Sequence, residues 1–187
     1  VLTNETDMAV IENVINQPDK VTISGKGDHY EVFAPDQRPN FVASADEARA
    51  IMSDLEADAK VRGRWFNSYP AGSAGTDSVP ELTFVRGNAQ LSGNGAGILV
   101  VTGTLNLSGN SSYKGLILIL EGGNLTVTGG DSKIEGSVVI AKYNAMGNFS
   151  APSVNISGGK VEFKANAERV NSALKTVNMR VLAVREN

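Results

Sequence analysis

The chain has 187 residues, of which 41% are hydrophobic, so it is long and apolar enough for one domain with a buried core. Its formal net charge of −3 argues against a nucleic-acid-binding protein, because such binding needs clustered cations. It contains no cysteine, which excludes disulfides, a thiolate nucleophile and a cysteine-ligated zinc within the chain.

Residues 1–79 are predicted to form an N-terminal cap region of helix, hairpin and helix. The first helix is expected over 4–16, where apolar residues fall on one helical face and Pro18 ends the pattern. Residues 21–23 and 30–33 alternate as two short strands, and the Gly-rich turn between them predicts a hairpin with a long loop.

A second helix is predicted over 45–62. Ser44 and Glu47 have the spacing of a capping box, in which both side chains satisfy free amides of the first turn, and Gly63 is placed to end the helix. Its apolar stripe is expected to cover a flank or an end of the following β-structure, and consists of Ala48, Ile51, Met52, Leu55 and Ala59.

Three aromatic residues, Trp65, Phe66 and Tyr69, follow this helix at once. One interpretation makes them a patch on which a sugar or another partner stacks. The alternative, which the pattern favours, is that they wedge the helix against the β-structure. They are the only interaction patch that we predict by residue.

Residues 80–163 contain a recurring phrase. Residues 85–94 (VRGNAQLSGN) are followed by 101–110 (VTGTLNLSGN), at an offset of 16, and looser copies lie at 120–130 and 154–159. A unit this short cannot close its own core and must stack on its neighbours.

Between the copies lie continuous apolar runs at 97–101, 115–120 and 136–141, each opened by Gly, as is typical of buried strands. The second half of each copy alternates instead, with Leu105 and Leu107 on one face and Asn106 on the other. We therefore predict a mainly β chain: a short right-handed parallel β-helix (solenoid) with flanking α-helices and an N-terminal α/β cap. A β-sandwich of hairpins is the alternative.

The C-terminal part, 164–187, is predicted to form a helix over 165–175, with Val170 and Leu174 facing inward, and a final strand over 176–185. Both are expected to pack back on the β-helix.

No catalytic residue, metal site or cofactor is predicted. The single histidine, His29, has no visible partner set, and Asp131 alone cannot form a repeated calcium array. The charged residues of the repeats are scattered and indicate a solvated surface; they are Glu81, Glu121, Asp131, Glu135 and Glu162, with Arg86, Lys114, Lys133, Lys142 and Lys160.

One resemblance is carried by residues 95–110 (GAGILVVTGTLNLSGN), 113–119 (YKGLILI) and 134–139 (IEGSVV). This phrase resembles that of the bacterial PilX-like type IV pilus assembly proteins, and residues 158–186 are more loosely similar to that family's closing strand, helix and terminal motif. The similarity extends over about 44–187, but Val184 stands where the family usually has Trp.

The resemblance implies a non-enzymatic structural ectodomain associated with pilus assembly or secretion. It is expected in the bacterial cell envelope or outside the cell, on the periplasmic side or at the surface. The resemblance further implies pilins or pilus-assembly proteins as partners, and membrane attachment only through a segment outside this sequence. Two alternatives remain open: a carbohydrate-binding or polysaccharide-cleaving β-helix, and a self-assembling scaffold of the bactofilin kind.

Leu107→Asp is expected to unfold the domain, because an unpaired charge buried in the core costs about 3–5 kcal/mol. Asn106→Asp, one residue away on the outward face, is the matched control and is expected to be tolerated. Urea unfolding of both variants measures the difference. A Leu107→Asp variant that still unfolds cooperatively with unchanged stability would show that the assigned register is wrong.

Overall fold

The computed structural model describes residues 2–3, 17–24, 31–32, 44–70 and 74–177. Within them the chain is mainly β, with two helices. The elements are β1 (Leu2–Thr3), β2 (Val21–Ser24), β3 (Glu31–Val32), α1 (Ala45–Val61), β4 (Trp65–Phe66), β5 (Glu81–Val85), β6 (Ala89–Leu91), β7 (Asn94–Val101), β8 (Thr104–Leu107), β9 (Ser112–Glu121), β10 (Asn124–Tyr143), β11 (Phe149–Ser150), β12 (Ser153–Ala165) and α2 (Ala167–Leu174).

The helix predicted over 45–62 is confirmed as α1. The Ser44 hydroxyl accepts a hydrogen bond from the Glu47 amide at 3.1 Å and donates one to the Glu47 carboxylate at 3.0 Å. At the other end Gly63 has a φ of 66°, and Arg64 N–H donates to the carbonyl of Ala59. This is the Schellman arrangement that a glycine just past a helix allows.

Ten of the described strands form one sheet, whose main path runs β2-β12-β10-β9-β7-β5-β4. The neighbours on this path pair in parallel. The predicted N-terminal hairpin is wrong, because β2 pairs with β12 and β3 pairs with β1, in both cases in parallel. Strand β2 of the cap region therefore extends the sheet beside its last long strand, β12.

The continuous apolar runs stack in register. Glu81 pairs with Gly97, Gly97 with Gly115, and Gly115 with Gly136. We call these four strand segments the apolar ladder; they are 81–85, 97–101, 115–119 and 136–140.

A second set of segments stacks in the same order. Leu105 pairs with Ala89 on one side and with Leu125 on the other, and Leu125 pairs with Val154. We call this set the polar ladder; its segments are 89–91, 105–107, 125–127 and 154–156. Only a few residues separate the two ladders in the first repeats, so each repeat contributes one segment to each ladder.

The apolar ladder is covered on both faces. Alternate residues such as Leu99 and Ile117 pack against the inward residues of the polar ladder, in what we call the inner cluster. The intervening residues, such as Ile98 and Leu118, pack with both helices in the outer cluster. Burial on both faces explains why these runs are apolar throughout rather than alternating. The prediction that α1 covers a flank is confirmed.

The polar ladder has only one buried face. Leu105 and Leu107 are fully buried in the inner cluster, whereas Asn106 between them is partly exposed. The inward orientation predicted for Leu107 is confirmed. Alternation therefore marks the strands with one solvated face, as expected for period-2 side-chain geometry.

The helix predicted over 165–175 is confirmed as α2, with Asn166 capping it by accepting from the Arg169 amide at 3.2 Å. Val170 and Leu174 are half-buried, and the fully buried residues are Ala173 and Val177. The predicted helix over 4–16 lies outside the described residues, as does most of the strand predicted over 176–185.

Gly97, Gly115 and Gly136 form one column across the apolar ladder, with φ angles of 117°, 133° and 141°. A Cβ at Gly115 would collide with the carbonyl oxygen of Gly97, and one at Gly136 with that of Gly115. The strands can therefore approach to their pairing distance at this column only if it carries no side chains.

Gly115→Ala is expected to destabilise the fold by about 3 kcal/mol or more, because strained backbone and a main-chain collision add. Gly129→Ala is the matched control, since a Cβ there meets nothing within 4 Å. The free energies of unfolding in urea measure the difference. Equal stability of the two variants would contradict the close approach at this column.

Candidate functional site

The aromatic segment does not form a free-standing platform. Trp65 and Phe66 make up β4, which pairs with β5 at one end of the sheet. The Trp65 ring packs against the outer cluster, and its Nε1 donates to the Glu56 carboxylate at 3.0 Å. The ammonium of Lys60 lies 5.4 Å from the ring centroid. Trp65 thus joins α1 to the sheet.

Tyr69 packs elsewhere, against the inner cluster. Burial raises the pKa of its hydroxyl to about 12. Phe66 is half-buried, with the Arg64 guanidinium 5.3 Å from its ring centroid. Trp65 and Tyr69 therefore contact different core clusters, and an interaction role for the three aromatic residues stays a prediction.

The charged residues of the later repeats are not scattered as the sequence indicated, because the strands bring them into register. Lys133 pairs with Glu162, and Glu135 lies between Lys114 and Lys164 on adjacent strands. Lys133 Nζ is 3.3 Å from Glu135 and 3.4 Å from Glu162, and the hydrogen bond with Glu135 is the main reason its pKa is raised. We call these residues the charged ladder; they are Lys114, Lys133, Glu135, Glu162 and Lys164.

Asp77 ties three elements together. Its carboxylate accepts from Lys114 of β9 at 2.7 Å and also binds Arg169 of α2. The hydrogen bond from Lys114 is the main reason that the pKa of Asp77 lies below its usual value. Asp77 thus helps to hold the loop before β5 against the sheet and α2, together with the backbone bridge between Ala74 and Gly95 of β7.

A cleft of about 300 Å³ lies between α1 and the β10–β11 turn. In it the Arg86 guanidinium lies 3.6 Å from Glu121 and 3.8 Å from Glu56. Its lining residues are Arg49, Met52, Arg86, Glu121, Tyr143, Asn144 and Ala145.

The charges of this cleft are satisfied within the protein. Burial alone would raise the pKa of Glu56, but hydrogen bonds from Lys60 and Trp65 lower it overall. Arg49 binds Asp46 at 2.8 Å and the carbonyl of Asn144 at 3.1 Å. Glu121 has a left-handed backbone with a φ of 66°, unusual for a residue other than glycine. The cleft is thus a set of ion pairs that joins α1 to the sheet.

The outward side of the polar ladder is a different surface. Gln90, Asn106, Thr126 and Asn155 lie in direct register on four adjacent strands. We call the whole surface the amide–hydroxyl face; in chain order it consists of Asn88, Gln90, Ser92, Thr104, Asn106, Ser108, Asn124, Thr126, Thr128, Ser153, Asn155 and Ser157.

Hydrogen bonds between neighbouring strands orient the side chains of this face. Asn106 Oδ1 accepts from the hydroxyls of Thr126 at 3.1 Å and Thr128 at 3.0 Å. Gln90 Nε2 donates to Ser108 Oγ at 2.9 Å. Asn106 and Gln90 are thereby each fixed through one of the two polar atoms of the amide.

Sequence reasoning identified the outward Asn, Ser and Thr of single strands but not their alignment across strands. The pairing offsets grow along the chain, since Ala89 pairs with Leu105 whereas Leu125 pairs with Val154. The alternation of apolar and polar residues within each strand was the available sequence signal. Only the pairing between strands shows that the outward residues form one continuous surface.

Within the described residues, no group of three or more His, Cys, Asp or Glu side chains is arranged to hold a metal ion. His29 lies outside them. The helices in the described part of the chain are too short or too polar to cross a membrane.

Comparison with protein-family models, curated proteins and solved structures finds no match for this chain.

Tyr69→Phe is expected to weaken the loss of stability at alkaline pH. The folded-state pKa of Tyr69 is raised from 10.0 to about 12, so its contribution is complete below pH 10 and is lost as the pH rises towards 12. Burial also raises the pKa of Tyr113, so some dependence will remain. Urea unfolding at pH 8 and pH 11 measures the effect. An unchanged difference between the two pH values would show that Tyr69 is not buried in solution.

Proposed function

We propose that the stacked repeats form a short right-handed parallel β-helix, in which each repeat makes one turn. The support is that two ladders run through the same repeats in the same order and share the inner cluster. Val85 and Ala89 lie only four residues apart but belong to different ladders, which leaves no room for a helical crossover between them. The right hand is the one that parallel connections almost always take.

We propose further that this unit is a non-enzymatic structural module of the bacterial cell envelope or surface, associated with type IV pilus assembly. The observation that carries the structural role is that the two ladders differ in what covers them. Helices α1 and α2 cover the outer side of the apolar ladder, whereas the outward side of the polar ladder presents a stiff hydrogen-bonding surface. The association with pili rests on the resemblance of residues 95–139 to the PilX-like proteins.

A scaffold that joins end to end, of the bactofilin kind, is less well supported. Such joining needs free strand edges at the ends of the sheet. At one end β2 pairs along four residues of β12, and at the other β4 pairs with the last two residues of β5. Each end of the apolar ladder is therefore partly covered. In the polar ladder, β6 and segment 154–156 each pair on one side only among the described residues, but Lys20 Nζ donates to the carbonyl of Ile156 at 3.1 Å.

Polysaccharide cleavage also finds little support. It would need carboxylates grouped beside Trp65 and Tyr69 in a groove. In the described part of the chain Trp65 contacts Glu56, which is itself bound to Lys60 at 2.9 Å. An ion-paired carboxylate of lowered pKa is poorly suited to act as a general acid.

The pilus hypothesis predicts direct binding of pilin subunits or pilus-assembly proteins through the polar ladder. Purified chain is immobilised and exposed to a detergent extract of the source cell's envelope, with an Asn106→Arg/Asn155→Arg variant as the matched control. We expect pilus components on the native chain and a severalfold loss on the variant, because two bulky charges block the face. Recovery of none of these components, or equal recovery by both chains, would refute the proposal.

A further inference from the structure

We infer that the amide–hydroxyl face binds an extended, uncharged polysaccharide. This inference rests on the register and chemistry of the polar ladder and does not depend on the proposed association with pili.

The twelve residues of the face carry no charge, although its strands carry charges elsewhere and the Lys20 ammonium donates to the carbonyl of Ile156 at its edge. All twelve of its positions are Asn, Gln, Ser or Thr. β10 and β12 pass from this face directly into the charged ladder, where Lys133 pairs with Glu162 and Glu135 with Lys164. Charge is thus concentrated on one stretch of these two strands and excluded from another stretch of the same strands.

This composition limits the kind of partner that the face can bind. A charged partner would lose its hydration and find no opposite charge on the face to compensate for it. An apolar partner would leave the amides and hydroxyls without hydrogen bonds, which is costly for buried polar groups. The remaining partner is one that carries neutral groups able to donate and accept, at high density. A polysaccharide without acidic or basic groups meets this requirement along its whole length, whereas a protein meets it only where it exposes neutral polar side chains.

Two amides of the face, those of Asn106 and Gln90, are already oriented before a partner binds. The hydroxyls of Thr126 and Thr128 both donate to Asn106 Oδ1, and Asn106 Nδ2 has no partner among the described residues. Gln90 is held through its Nε2, so its Oε1 is the acceptor that remains. The face therefore presents fixed donors and fixed acceptors to sugar hydroxyls, which are both. Fixing them before binding lowers the entropic cost of the complex.

The register suits a polymer rather than a single sugar. Gln90, Asn106, Thr126 and Asn155 follow one another at the strand spacing of about 4.8 Å. The face contains no aromatic ring on which a sugar could stack, so each individual contact is weak. A polymer that engages several rows at once gains affinity from multivalency, which a monosaccharide does not.

The experiment measures depletion of the purified chain from solution by microcrystalline cellulose, chitin and granular starch. The Asn106→Ala/Asn155→Ala variant removes two amides from the central row of the face. Lys160→Ala, at an exposed position near the charged ladder, is the matched control. We expect retention of the native chain on at least one of the three polymers, at least a tenfold weaker partition of the double variant, and no change for Lys160→Ala.

Thermal unfolding establishes that the variants are folded. If the double variant is not, Gln90→Ala at an exposed position takes its place, with an expected loss of severalfold. No retention on any of the three polymers overturns the inference, as does equal retention of native chain and face variant. Preferential retention on alginate beads, an acidic polysaccharide, also overturns it. Sedimentation equilibrium is run in parallel, because self-association that the face substitutions abolish, without polymer binding, would assign the face to a second copy.

The two proposals fail separately. A chain that binds pilus components but no neutral polymer refutes this inference alone. A chain that is retained on a neutral polymer but captures no pilus component refutes the proposed function alone.

Discussion

The close parallel stacking of the apolar strands is the constraint on which the other features depend. It requires the glycine column of Gly97, Gly115 and Gly136, because a side chain at these positions would meet the carbonyl oxygen of the preceding strand. Once this column fixes the register, alternate residues point to opposite sides of the sheet along the whole ladder. The inner cluster, the outer cluster and the positions of both helices follow from that alternation.

The ladders differ because different neighbours cover them. Helix α1 places Leu55 and Ala59 in the outer cluster, so most of the apolar ladder is buried on both sides, and its last segment, 136–140, is partly exposed. The polar ladder has no such cover among the described residues, and its outward positions carry amides and hydroxyls that bond to one another across strands. A surface satisfied in this way can stay exposed without presenting an apolar patch, and it can still exchange part of its hydration for a partner.

Ion pairs connect the helices to this framework. Asp77 joins Lys114 of β9 to Arg169 of α2, while Trp65 and Arg86 both contact Glu56 of α1. By residue type alone these groups could be taken for catalytic clusters, since acids, bases and an aromatic ring lie close together. Their geometry is that of attachment, because each carboxylate is held by cations that favour its ionised form.

The sequence by itself determined the features that depend on local pattern. Ser44, Glu47 and Gly63 set the ends of α1, because caps act within one turn. The alternation at Leu105, Asn106 and Leu107 determined which side chains point inward. The repeat at an offset of 16 also predicted that 85–94 stacks on 101–110. The tertiary structure alone decided the neighbours of the segments outside this repeat. It placed β2 beside β12 rather than in a hairpin, and it aligned Lys133 with Glu162. The reason is physical: the offset between paired residues changes from repeat to repeat, and backbone pairing depends on that offset rather than on any local preference.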